Sequence, residues 1–228
     1  MLSGFFITGT DTGVGKTLIS CMLLHALSKN HNKVVGMKPI AAGKENGKWL
    51  DVELLRTAGS VQVTDELLNP YALEQAIAPH IAAQSQGIEI DMSTIENAFH
   101  ALGELADYVI VEGAGGFMVP VNATQDTSDI ARLFDLPVIL VVGMRLGCIN
   151  HALLTVQAIR SAGLQLFGWV ANCIDPEMRA VKENIAALRF RIEQPLLGTV
   201  PYDSAPDFQA LSRLIDLSGL DSRRRDSR

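Results

Sequence analysis

The chain has 228 residues, a formal net charge of −6, 48% hydrophobic and 19% charged residues, and a pI near 5.3. This balance excludes a disordered chain, and the acidic sum excludes broad binding to nucleic acid or anionic membranes driven by net charge. The length permits one large domain or two small ones, with about 70–75% of the unfolded surface buried on folding.

In chain order, strands are expected at residues 5–8, 33–37, 108–111, 138–142, 166–171 and 196–200. Helices are expected at 16–28, 51–57, 94–105, 128–134, 150–162 and 177–189. The alternation predicts one α/β domain over residues 1–220, a mostly parallel sheet with helices on both faces. The runs VVGM, YVIV, VILVV and FGWVA are apolar throughout, which suits strands covered on both sides. Gly163 and Pro137 supply stop signals. Residues 41–90 are the least regular, with Gly43, Gly47, Gly59, Pro70, Pro79 and Gly87, and read as a functional loop insertion.

Three cysteines, Cys21, Cys148 and Cys173, form no paired framework and lack metal-ligand spacing, so reduced thiols of a cytoplasmic protein are expected. No secretory signal is expected, and the longest strongly apolar run, 136–144, is too short to cross a bilayer. Arg223, Arg224, Arg225 and Arg228 make residues 221–228 an expected disordered basic tail.

Residues 9–17 read GTDTGVGKT between an apolar strand and a helix rich in Leu and Ile. Such a loop exposes successive backbone N–H groups, and the helix N-terminus adds positive partial charge. Lys16 is expected to reach the β/γ phosphates and Thr17 to place its hydroxyl on a magnesium ion, while Gly13 and Gly15 allow close backbone approach. Gly9 lies one residue further from Gly15 than the strict G-x-x-x-x-G-K-[ST] pattern requires. The order of strand, loop, Gly-Lys-Thr and helix still marks a nucleotide-phosphate site.

Ligands of open α/β sheets bind outside the carboxyl ends of the strands, and several polar residues fall there. Lys38-Pro39 ends the second strand, Asn172-Cys173 the fifth and Pro201-Tyr202 the sixth; Glu112 ends the third, followed by Gly113-Ala114-Gly115-Gly116. Glu112 is placed as a phosphate-loop enzyme places its magnesium carboxylate. Lys38 is expected to face the transferred phosphoryl group. Asp51 reads either as a helix N-cap or as a second acidic group, and the amide of Asn172 matches the edge of adenine.

The combination GTDTGVGKT, KPIAAG, VEGAGG, LPVILVVGMRLGCINH and GWVAN resembles the dethiobiotin synthetase family, in the family's order and over nearly the whole chain. The resemblance implies a phosphate-loop NTPase-like fold and ATP-dependent ring closure of 7,8-diaminononanoate with carbon dioxide. It implies that Thr12, Gly13, Val14, Gly15, Lys16, Thr17 and Leu18 surround ATP, with Lys16 and Lys38 stabilising charge on phosphate and carbamate. Thr17, Asp51 and Glu112 would hold Mg²⁺, and Gly113, Ala114 and Gly115 would lie against the ligands. Asn172, Cys173, Pro201, Tyr202 and Asp203 would hold the adenine, with Asp207 or Phe208 closing that end. Lys38 and Ala42 would meet the diamine, whose carboxylate would take N–H groups of Gly147, Cys148, Ile149 and Asn150 from a partner subunit, which implies a homodimer. Ala42 and Cys173 depart from the family's usual Ser/Thr and Asp.

Two other readings compete. A cobyrinate-type amidation enzyme would need a further amidotransferase domain for which the chain has no room. A partitioning or septum-type switch ATPase would carry a Lys where Thr12 stands.

Overall fold

The computed structural model describes residues 3–29 and 32–220. The elements run β1 (Ser3–Gly9), α1 (Lys16–Ser28), β2 (Val34–Met37), β3 (Ile40–Ala42), α2 (Leu50–Ala58), α3 (Asp65–Leu68), β4 (Tyr71–Leu73) and α4 (Pro79–Ser85). They continue through α5 (Met92–Leu105), β5 (Tyr108–Glu112), α6 (Thr127–Phe134), β6 (Val138–Met144), α7 (Cys148–Ser161), β7 (Leu166–Cys173), α8 (Val181–Arg191), β8 (Leu196–Val200) and α9 (Phe208–Leu211).

Six strands form one parallel sheet in the order β2-β5-β1-β6-β7-β8. Alternation along each strand divides its side chains between two cores. Phe5, Ile7, Ile110 and Val141 face the buried side of α1, whereas Phe6, Val109, Val111 and Leu140 pack with residues of α5, α6 and α7. Both faces are therefore covered, which is why these strands are apolar throughout. Strand order reverses at β1: β5 lies on one side and β6 on the other. The crevice above that switch point is where such sheets bind ligands.

The irregular segment has structure of its own. β3 and β4 form a separate two-stranded parallel pair, with Ile40 opposite Tyr71 and Ala42 opposite Leu73. Asn69 Nδ2 donates to Lys38 O at 2.7 Å and Lys38 N to Leu68 O at 2.7 Å, fixing this pair beyond the end of β2.

The structure corrects two helix starts and one cap. α8 starts at Val181 rather than residue 177, because Ala180 is left-handed at φ 56° and residues 175–178 form a turn. α7 starts at Cys148 rather than at residue 150. Asp51 is not an N-cap; Trp49 holds that place, and Asp51 lies inside the first turn of α2. The basic tail expected at 221–228 lies outside the described residues. Among the described residues no helix is long and apolar enough to cross a membrane.

Candidate active site

The loop between β1 and α1 takes its shape from two glycines. Gly13 and Gly15 have φ of 72° and 87°, a region costly for other residues. At Gly15 there is a second reason: a Cβ would lie 2.2 Å from Asn172 Nδ2. That amide donates to Val14 O at 2.8 Å and so ties the loop to the end of β7. Gly15 caps α1 without a side-chain hydrogen bond, and no acidic residue occupies the first turn. The helix start thus presents its N–H groups, the positive end of the helix dipole, to the loop, a fit for phosphate.

Beside this loop, residues from β2, α2 and β5 converge. Lys38 Nζ lies 2.6 Å from Glu112 Oε1, 2.8 Å from Asp51 Oδ2 and 3.3 Å from Gly113 O. The hydroxyl of Thr17 donates to the same Glu112 oxygen at 2.9 Å. Both Lys38 and Glu112 are buried. Burial opposes the charge on Lys38, but Glu112 and Asp51 outweigh it and hold its pKa above the ordinary lysine value.

Lys16 differs. Its ammonium donates to Asp11 O at 3.0 Å, and burial together with the neighbouring charge of Lys38 lowers its pKa to about 8. Both lysines line the cleft, yet Lys16 is only 7% and Lys38 5% exposed.

The cleft has a volume of about 700 Å³. Its polar side carries Thr12, Gly13, Gly15, Lys16, Thr17, Lys38, Asp51, Glu112, Ala114 and Gly115. The rest of its lining is apolar: Ile40, Ala42, Ala76, Ile77, Ala78, Pro79 and Val119. Apart from Ala42, this apolar lining escaped the sequence, because its residues come from short segments without periodicity. Gly115, at φ 64°, brings the loop after β5 against the loop before α1; a Cβ there would lie 3.4 Å from Thr12 Oγ1.

A magnesium ion fits this donor set. Glu112 Oε2 is buried with no hydrogen-bond partner among the described residues. Thr17 Oγ1 and the Asp51 carboxylate add hard oxygens nearby. Among the described residues no cluster of three or more His, Cys, Asp or Glu forms a metal site, so phosphate and water oxygens would complete the coordination, as magnesium commonly requires.

The remaining expected residues fall outside this cleft. Asn172 is buried behind the loop, Cys173 is half-buried beside it, and Pro201, Tyr202 and Asp203 lie on an exposed turn. Asp207 accepts from Ala210 N and caps α9, while Phe208 packs against the core that covers α1; these contacts are structural. Leu18 likewise packs against that core, and Val14 is buried.

At α7, Gly147 is left-handed at φ 93° and precedes the helix without a side-chain cap. Cys148 N donates to Arg145 O at 3.0 Å, which removes it from the expected donor set. Among the described residues the N–H groups of Ile149 and Asn150 have no helical partner in the first turn. A link not foreseen from sequence joins this loop to the first: Arg145 forms an ion pair with Asp11.

Comparison with known proteins agrees with this geometry. Residues 3–209 match the family model described as an AAA domain. The ATP-dependent dethiobiotin synthetase BioD of Nitrosospira multiformis is 57% identical, covering 96% of this chain and 96% of that protein. The protein of the same name from Aromatoleum aromaticum is 52% identical, over 94% and 97% respectively. Among solved structures, the septum site-determining protein MinD of Pyrococcus horikoshii, complexed with Mg-ADP, aligns with TM-score 0.57 at 18% identity, over 89% of this chain and 82% of that one. A ParA family ATPase of Chlorobium tepidum aligns with TM-score 0.54 at 16% identity, over 90% and 86%. At such identities the likeness shows a shared phosphate-loop NTPase fold and no more. Sequence and fold together establish that the chain belongs to the ATP-dependent dethiobiotin synthetase family.

Proposed function

We propose that this chain is a ligase of biotin synthesis that closes the ureido ring of dethiobiotin from 7,8-diaminononanoate, carbon dioxide and ATP. The observation that carries this reading is the meeting of Lys16, Lys38, Thr17, Asp51 and Glu112 in one cleft, beside an apolar wall that suits an aliphatic substrate. One amine of the diamine adds to carbon dioxide and loses a proton, giving a carbamate. A carbamate oxygen attacks the γ-phosphorus and ADP leaves. The second amine attacks the carbamoyl carbon, phosphate leaves and the ring closes.

The protein's part is positioning and charge neutralisation. Lys16 exchanges the Asp11 carbonyl for phosphate oxygens. All three Lys38 N–H groups have partners, and the longest contact, 3.3 Å to Gly113 O, is the one to give up for the carbamate. Magnesium, held by Thr17, Asp51 and Glu112, would offset charge on the triphosphate. Asn172 supports adenine recognition in one orientation: with Nδ2 committed to Val14 O, Oδ1 is left to accept from an exocyclic amino group. Pro201, Tyr202 and Asp203 would frame the base, and Asp207 and Phe208 hold that segment in place.

The same reading includes a homodimer, with Ile149 and Asn150 offering N–H groups to the carboxylate of a diamine held by the other subunit. Leu146, Leu154 and Phe190 are 96%, 63% and 88% exposed around this helix start and on the adjoining α8, an apolar surface suited to burial against a second copy. A cytoplasmic setting fits the three free cysteines. The switch-ATPase alternative has only the distant fold likeness in its favour, and Thr12 occupies the position of that group's signature lysine.

The test is phosphate release from ATP measured with and without the diamine and bicarbonate. Release is expected to require both. Equal hydrolysis without the diamine would overturn the assignment.

A further inference from the structure

Asp11 stands inside a loop otherwise built to attract anions. Its carboxylate would repel a triphosphate approaching the same loop unless neutralised. The structure gives both of its oxygens a partner: Oδ1 accepts from Thr12 N at 2.7 Å, and Oδ2 is paired with Arg145 Nη2. Its main-chain oxygen is the one that holds Lys16 Nζ. A single residue therefore shapes the loop, carries its negative charge and parks its lysine.

Arg145 reaches Asp11 from the loop between β6 and α7, 134 residues along the chain. The two loops are stitched at neighbouring points as well. Thr10 N donates to Val141 O at 3.0 Å, and Gly143 N lies 3.4 Å from Thr10 Oγ1. The N–H of Thr12, and after it the guanidinium of Arg145, outweigh the effect of burial and hold the Asp11 carboxyl below the usual carboxylate range. The seam holds the first residues of the phosphate loop against the end of β6.

We propose that Arg145, acting through Asp11, is a positioning residue for the nucleotide: it neutralises the one carboxylate of the phosphate loop and holds it clear of the phosphates. This rests on the loop's assignment as a nucleotide site. The pair is partly exposed, with side chains 40% and 46% accessible, so its own strength adds little to stability. Its effect is felt when a second anion arrives. Removing Arg145 leaves an uncompensated carboxylate beside the triphosphate. Removing both charges relieves the repulsion.

The experiment measures binding of MgATP and MgADP to the full chain by calorimetry, without diamine, for Arg145→Met, Asp11→Asn and the double variant. Arg145→Met is expected to weaken both nucleotides about 10-fold, as a single like charge at short range in a partly solvated site would. Asp11→Asn keeps an acceptor for Thr12 N and is expected to bind at least as tightly as wild type. The double variant is expected to return to within about 3-fold of wild type. In steady-state assays the Arg145→Met defect should appear in KM for ATP, with kcat nearly unchanged. Normal binding by Arg145→Met, a double variant no better than it, or a 10-fold loss in Asp11→Asn alone would each overturn the proposal. The last of these does not depend on how Arg145→Met folds. A wild-type chain that binds neither nucleotide would overturn the nucleotide assignment, and this inference with it.

Discussion

The floor of the cleft and the loop above it handle charge in opposite ways. On the floor, Lys38 is matched by two carboxylates and a carbonyl before any ligand arrives. In the loop, Lys16 has a single neutral hydrogen-bond partner among the described residues, and burial and the charge of Lys38 lower its pKa to about 8. The floor is part of the fold and supplies charges already in position. The loop is held slightly unsatisfied, so that the ligand completes it.

The largest test of that contrast compares two alanine substitutions. Lys38→Ala and Lys16→Ala are each expected to lower turnover on the order of 10²-fold or more. Their stabilities should part. Lys38→Ala leaves Glu112 buried and uncompensated, at a cost of about 3–5 kcal/mol. Lys16→Ala removes a charge that burial disfavours and should unfold at no lower denaturant concentration than wild type. Denaturant titration without nucleotide reads the difference; equal losses would erase the distinction.

A smaller effect is expected at Glu112. Glu112→Gln keeps the shape but removes the negative charge of the buried carboxylate whose Oε2 lacks a hydrogen-bond partner among the described residues. The magnesium concentration for half-maximal activity should rise on the order of 10-fold or more. An unchanged requirement would return Glu112 to the floor's internal pairing alone.

Lys16 also predicts a pH dependence confined to the loop. With a pKa near 8 in the free protein, it must regain a proton on binding phosphate once the pH exceeds that value. Nucleotide affinity should fall above pH 8, by at most about 10-fold per unit, and Lys16→Met should lose this slope. Without ligand the sign reverses. Between about 8 and the ordinary value of 10.5 the unfolded chain carries the extra proton, so this group's contribution to stability rises with pH. Calorimetric titration and unfolding curves at matched pH check both.

The least pronounced difference should lie at the base. On the proposed reading, in which Asn172 Oδ1 accepts from an exocyclic amino group, CTP should compete with ATP better than GTP does, by about 10-fold or less. Equal competition would mean that the exposed turn at Pro201, Tyr202 and Asp203 contributes the whole of base recognition.

How far the sequence could be read follows from where its signals are local. The six sheet strands and α1 come from unbroken apolar runs and a Gly-Lys-Thr start, and β8 and α1 fall at the expected residues. Lys38 and Glu112 are legible because each directly ends such a run. β3 and β4 are three residues each, too short for a period to register, and only their pairing with one another makes them strands. Asp51 is ambiguous in the sequence because an N-cap and a first-turn acid lie only a residue or two apart, here Trp49 and Asp51, and only the position of Lys38 separates the two. Asp11 and Arg145 were missed because an ion pair across 134 residues leaves no local pattern.

That same distance along the chain bears on how the protein folds. Thr17 and Glu112 are 95 residues apart, Lys38 and Glu112 74, and Asn172 and Val14 158. None of these contacts can form within one helix or hairpin; each waits for strands distant in sequence to lie side by side. Chains with such contacts fold comparatively slowly, since loop closure must precede any reward. A nascent or partly melted chain therefore has the phosphate loop's residues without their partners. Nucleotide should recognise only the finished sheet, which makes its binding a reporter of completed folding and a force that draws the last steps forward.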